Sequence, residues 1–343
     1  MAFLEFKNVK LSGISVGVPR NIVTNDYMES LEYSAKDFVE STGISERRVS
    51  NEYTTSDLCY VAAERLIKDL GWDKSEIGAI AFVSQMADYV EPATACILQD
   101  RLGLNKECYA IDISLGCSGW VYGLSSLVPY LSSGQIKKAL LMTGDAKRRF
   151  DYFDPLFGHA GSVTALEYER NDNGFKFHFG TDGAGYDAII IPDGGSRNQI
   201  TPMSFELEDI DGKMLNRLQT RMKGMDVFSF GISIAPKSIK KLIECYNLNI
   251  DNIDYFVFHQ ANRMMNEAIQ RKLKLSPSKV PYSLNKFGNT SSASIPLTIA
   301  SELQGKIENK KTSFICCGFG VGLSWGTVMF ETHNIVLSDI VEI

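Results

Sequence analysis

The chain has 343 residues, and its 35 lysines and arginines against 41 aspartates and glutamates leave a formal charge of −6. That acidic balance argues against a nucleic-acid binder that works by general phosphate neutralisation, and 44% apolar with 22% charged residues is the make-up of an ordinary globular protein. No run of 18 apolar residues occurs, so no membrane-spanning helix is expected, and no signal-peptide pattern opens the chain.

Residues 1–13 read as one first strand. Asp57 to Leu70 has apolar residues near 3.6 spacing and stops before Gly71, the pattern of a helix with a glycine end. Residues 77–84 and 139–144 are short apolar, β-rich runs of the kind found in buried strands. Residues 169–174 form a polar turn. Residues 313–318 are another strand, and Gly318 to Gly326 is a glycine-rich turn between two apolar strands. Strands alternating with helices predict α/β layers with mostly buried sheets. Seven scattered cysteines without a CxxC pair point to reduced thiols in a cytoplasm, not to disulfides or structural zinc.

A weak internal repeat organises these elements. Residues 63–85 and 238–260 both read helix, turn, acidic/Ile pair, buried strand, then Gln. Gly116-Cys117-Ser118 matches Gly288-Asn289-Thr290, and the strand from Ala139 matches that from Ser313. Three segments recurring in order at a period of about 174 residues predict two similar halves, 1–170 and 171–343. A pseudo-two-fold between them would bring Cys117 and Asn289 together, with His259 beside them.

Each of these residues has a functional and a plain reading. Cys117 lies between a strand and a helix, where a helix N-terminus favours thiolate and Gly116 and Gly119 permit close approach; alternatively it is a buried structural cysteine. His259 ends an apolar strand and can polarise a carbonyl or move a proton, or it is a satisfied core histidine. Asn289 alone reads as a helix N-cap. The glycine turn presents backbone N–H groups to an oxyanion or is simply a tight hairpin.

The ordered set of Cys117 in Asp112–Trp120, His259-Gln260-Ala261-Asn262, residues 288–296 and the glycine turn resembles the β-ketoacyl-acyl-carrier-protein synthase III family of the thiolase superfamily. Residues 42–48 are similar to that family's TGI-x-ER segment. The resemblance implies a thiolase fold, an α-β-α-β-α sandwich of two halves. It implies Cys117 as acyl-accepting nucleophile and His259 and Asn289 as donors to a malonyl-type extender. The oxyanion would rest on the backbone N–H groups of Cys117 and Val321. The implied activity is decarboxylative Claisen condensation giving a β-ketoacyl product, with acyl and malonyl thioesters of coenzyme A or acyl carrier protein as substrates and no bound cofactor or metal. Non-decarboxylative condensation or acyl transfer to another acceptor is the alternative, and a catalytically silent subunit is a third reading. A cytoplasmic homodimer is expected, contacting neither nucleic acid nor membrane.

The departures are also informative. The family's Trp and Arg that flank the adenine of coenzyme A fall on Asp37 and Ser41, and the loop between Asp145 and Phe157 is shorter and lacks the family's nucleotide-binding arginine. Glu91 stands where an aromatic residue reaches across the dimer; it is a candidate base in the partner's site or a solvated loop residue. Arg271 and Lys272, or Lys237, Lys240 and Lys241, are candidate docking cations for an acidic carrier, or solvated helix faces.

Overall fold

The computed structural model describes residues 2–26, 28, 34–146 and 154–343. The shortened loop after Asp145 falls mostly on 147–153 and so lies outside the described residues.

Two sheets carry the chain. In the first, Val9–Val18, Ala160–Tyr168, Lys138–Asp145, Ile77–Val83 and Tyr109–Ile113 lie side by side in that order. The second runs Phe175–Thr181, Ser324–Thr332, Thr312–Gly320, Tyr255–Phe258. The chain ends cross over. Ala2–Phe6 pairs with Phe175–Thr181 in the second sheet, whereas Val336–Leu337 and Val341–Glu342 pair with Val9–Val18 in the first. Residues 1–13 are therefore two strands in different sheets, not one. Asn8, in the left-handed region at φ 63°, makes the break between them.

The uninterrupted apolar runs follow from burial on both faces. Along Ile77–Val83, Ala79, Ala81 and Val83 pack into a central layer with Val121 and Leu124, while Ile80 and Phe82 pack outward with Leu66 and Leu98. The second sheet divides in the same way: Val257, Phe314 and Cys316 face the centre, and Phe256, Phe258, Ile315 and Cys317 face outward with Ile239 and Ile269. Each such buried Phe, Leu or Ile contributes about 1.5–3 kcal/mol.

The central layer is two helices, Gly119–Ser132 and Ser294–Leu303. Thr55–Leu70 and Thr94–Arg101 cover the first sheet, and Gly224–Cys245 and Arg263–Leu273 cover the second. These five layers are the α-β-α-β-α sandwich expected from the sequence. The helix read from Asp57 begins two residues earlier, because Thr54 and Asp57 form a capping box, and it ends at Gly71 with φ 63°.

None of the seven cysteines, all among the described residues, is in a disulfide. Cys59, Cys316 and Cys317 are buried packing residues, whereas Cys96 and Cys245, whose scattered placement also reads from sequence as packing in reduced surroundings, are exposed. Both lie on outer helices, where one face meets solvent. No helix among the described residues is long and apolar enough to cross a membrane.

Candidate active site

The first central helix begins two residues after Cys117. Tyr109–Ile113 delivers the chain to this turn, which closes with Gly119 N–H donating to the Gly116 carbonyl at 2.7 Å. Cys117 is half-buried. The end of Thr312–Gly320 passes directly over it: a Cβ on Gly320 would lie 2.7 Å from Cys117 Cβ and 3.0 Å from Sγ, and one on Gly318 would lie 2.9 Å from the Cys117 carbonyl oxygen. Only glycine admits this approach. Ser118 Oγ and Ser324 Oγ are 2.8 Å apart, and Ser324 Oγ donates to the Val321 carbonyl at 2.9 Å. The residue after the thiol is thus tied to the glycine turn, which joins two antiparallel strands as read from sequence.

His259 follows Tyr255–Phe258, and its N–H donates to the Cys317 carbonyl at 2.9 Å. The ring is buried. Its Nδ1 is 2.8 Å from Ser294 Oγ, which also accepts from Gln260 N–H at 3.3 Å. A hydroxyl that accepts from a backbone donor has its own hydrogen to give, so Nδ1 is assigned as acceptor and Nε2 carries the proton. Burial pushes the imidazole pKa down to about 3, opposed by a backbone hydrogen bond to Ser291. The ring is therefore neutral near pH 7.

Asn289 does not cap the second central helix, which starts five residues later. Its Oδ1 instead accepts from the Ser291 N–H at 2.9 Å. That bond takes up the oxygen and leaves the two Nδ2 hydrogens as donors, unpartnered among the described residues. The backbone of Asn289 bridges to the first half: its N–H donates to Leu156 O at 2.8 Å, and Gly158 N–H donates to Asn289 O at 3.1 Å. Ser291, at φ 52°, adopts the left-handed turn that lets one residue serve both Asn289 and His259.

Cys117, His259 and Asn289 line one cavity of about 810 Å³, together with Gly320 and Val321. Its outer walls are apolar, with Ile189, Ile190, Met222, Phe228 and Phe230 prominent. Buried neutral donors facing a thiol at a helix start suit acyl transfer through a covalent thioester, followed by stabilisation of an enolate.

Other predicted residues lie elsewhere. Glu91 is exposed on a loop and does not line this chain's own cavity. Arg271 and Lys272 are exposed in the last turn of Arg263–Leu273; Arg271 lies 3.6 Å from Glu267, and Lys272 Nζ donates to the Ile232 carbonyl at 2.9 Å. Lys237, Lys240 and Lys241 are exposed on the outer helix of the second half. Ser41 lines the cavity, and its hydroxyl donates to the Asp37 carbonyl at 2.8 Å. Ser294 and Ser291 were not singled out from sequence, and Gln85 entered only as the Gln that closes the repeat. Their roles depend on partners 35 or 2 residues away, or across a turn, and no spacing rule marks them.

The sequence model described as 3-oxoacyl-[acyl-carrier-protein (ACP)] synthase III matches residues 111–183, and that of its C terminal region matches 243–332. The β-ketoacyl-[acyl-carrier-protein] synthase III of Clostridium acetobutylicum is 33% identical over 331 residues, covering 94% of this chain and 98% of its own. That of Staphylococcus epidermidis is 34% identical over 333 residues, covering 94% and 99%. The crystal structure of a 3-oxoacyl-(acyl-carrier protein) synthase from Burkholderia xenovorans superposes with a TM-score of 0.92 at 33% identity, covering 100% of this chain and 99% of that one.

Proposed function

The chain belongs to the 3-oxoacyl-[acyl-carrier-protein] synthase III family, thiolase-fold acyltransferases that form a β-ketoacyl product, and on that premise we propose the following division of labour. Cys117 thiolate attacks an acyl thioester, the carrier thiol leaves with a proton, and the acyl group stays on sulfur. A malonyl thioester on acyl carrier protein then places its carbonyl oxygen against His259 Nε2–H and Asn289 Nδ2–H. Its carboxylate leaves as CO₂, and the bonding pair moves toward that oxygen as an enolate. The enolate carbon attacks the acyl-cysteine, and the oxyanion rests on the N–H groups of Cys117 and Val321 until the thiolate departs. The observation that carries this reading is the convergence of Cys117, neutral His259 and Asn289 on one cavity, with Gly320 against the sulfur.

Intact-protein mass spectrometry with a panel of acyl thioesters tests the first step. We expect a mass gain that Cys117→Ser abolishes, and CO₂ release once malonyl-carrier protein is added. No gain from any thioester would remove the reading; acylation without CO₂ would favour transfer to another acceptor.

Carrier protein also delivers the acyl donor in this proposal. At Asp37 and Ser41 there is no cation for a nucleotide, and the Ser41 hydroxyl is committed to a backbone carbonyl. Arg271 and Lys272 form the docking patch for an acidic carrier. The working form is a cytoplasmic homodimer whose reducing surroundings keep Cys117 out of a disulfide. In it, Glu91 of one subunit acts as a base in its partner's site. Coenzyme A and acyl carrier protein enter as substrate carriers, not as resident cofactors.

A further inference from the structure

Beside Cys117 the cavity wall carries a polar corner that the reaction above does not use. Gln85 follows Ile77–Val83, and its backbone N–H donates to Asp145 Oδ1 at 2.9 Å. Ser84 Oγ donates to the same oxygen at 2.8 Å, so a buried carboxylate fixes where the Gln85 side chain begins. That side chain runs to the residue before the nucleophile. A Cβ on Gly116 would meet Gln85 Oε1 at 2.6 Å, Gln85 Cδ at 3.1 Å and Ser291 Oγ at 3.5 Å.

Gly116 is not among the residues of positive φ, so its backbone does not require glycine. What the missing side chain provides is room for the Gln85 carboxamide against the turn that holds the thiol. Gln85, Ser114 and Ser291 all line the cavity with Cys117. None of their side-chain polar groups has a hydrogen-bond partner among the described residues.

Ser291 is buried while Gln85 and Ser114 reach solvent, so this carboxamide and these hydroxyls are a water-bound wall, poor for a plain alkyl chain. Displacing water from them with methylenes leaves donors and acceptors unsatisfied. A substrate with its own oxygen at this place restores those bonds. A site built to bond such an oxygen rejects analogues that lack it more strongly than an apolar pocket rejects an added group.

We propose that Gln85, supported by Ser114 and Ser291, is a specificity-determining residue that selects acyl donors bearing a hydroxyl group close to the thioester carbonyl. This rests on Cys117 being the acyl acceptor. The chain beyond that hydroxyl runs along the apolar walls.

The test is a competition between butyryl-pantetheine and 3-hydroxybutyryl-pantetheine for the same enzyme sample, with the two Cys117 adducts resolved by mass. Wild type is expected to favour the hydroxyacyl donor by about tenfold, the worth of one satisfied hydrogen bond. Gln85→Leu should bring the ratio to parity or below. Gly116→Ala, which places a methyl where the carboxamide lies, should also lower it. Because both adducts form in one sample, partial misfolding reduces both and leaves the ratio intact. No preference in wild type, or an unchanged ratio in Gln85→Leu, overturns the assignment while the acyl-cysteine stands. The absence of either adduct in wild type overturns the acyl-cysteine reading and this proposal with it.

Discussion

The two halves use one strand order for different ends. Reading from the first strand of each, Val9–Val18 is followed by Ala160–Tyr168, Lys138–Asp145 and Ile77–Val83; Phe175–Thr181 is followed by Ser324–Thr332, Thr312–Gly320 and Tyr255–Phe258. Among the described residues, only the first half continues to a fifth strand, Tyr109–Ile113. That strand runs straight into the Gly116–Gly119 turn, so the Cys117 thiol arrives at a helix start. The second half has no counterpart to it among the described residues. It reaches its central helix through a bridge to Leu156–Gly158 and the left-handed Ser291. The missing strand is replaced by a turn that holds two neutral donors. Similar scaffolds thus carry the proposed nucleophile on one side and the proposed enolate-stabilising donors on the other.

This contrast is most directly broken by separating the two steps. His259→Ala or Asn289→Ala should reduce condensation by about 10²–10³-fold, the scale for losing one oxyanion donor. Formation of the Cys117 adduct should fall far less, as followed by mass spectrometry and CO₂ release. Equal loss of both steps would erase the division between the halves. Glu91→Gln tests whether a third group, from the partner subunit, belongs to the second step. If it does, the acid limb of the pH–rate profile shifts and the rate falls about tenfold or more; an unchanged profile and rate would remove Glu91 from the site.

Stability carries the same asymmetry. The His259 pKa is lowered by burial to about 3, from 6.5 when unfolded, so the neutral ring contributes fully above about pH 6.5. That contribution is lost as pH falls toward about 3, because the unfolded chain binds the proton first. His259→Gln should therefore narrow the drop in Tm between pH 7 and pH 4 by a few °C in calorimetry. An identical drop in wild type and variant would show that the ring is not buried neutral. The smallest effect is expected outside the halves' shared centre. Charge reversal at Arg271 and Lys272 should raise the KM for a carrier-protein substrate about tenfold while a small thioester is affected less. Equal changes would place no docking there.

Much of this arrangement was legible because it is local. Buried strands announce themselves as apolar runs, as at Ile77–Val83, and the Gly116–Gly119 turn has the composition of a sharp elbow. The repeat put Cys117 and Asn289 at corresponding places, and the cavity contains both. Other features depended on contacts far apart in the chain. Residues 1–13 split between sheets because Phe6 pairs with Phe175 while Val9 pairs with Tyr168. The N-cap reading of Asn289 failed because the second central helix starts only at Ser294, five residues further on. Ser294 acquires its role only when residue 259 is folded against it, and Gln85 only because Gly116 lacks a side chain.

The crossed chain ends bear on how the molecule is made. During synthesis Ala2–Phe6 is made long before its partner Phe175–Thr181, which comes more than 160 residues later. Val9–Val18 must wait longer still for Val336–Leu337 and Val341–Glu342. Neither sheet can be completed in isolation on the ribosome, although domains commonly fold as they appear. Cys117 is translated long before His259 and Asn289, so the thiol precedes the groups proposed to direct its chemistry. Completion of the site and closure of the fold therefore both wait for the second half of the chain, and a prematurely ended chain would carry Cys117 without the donors proposed to direct its chemistry.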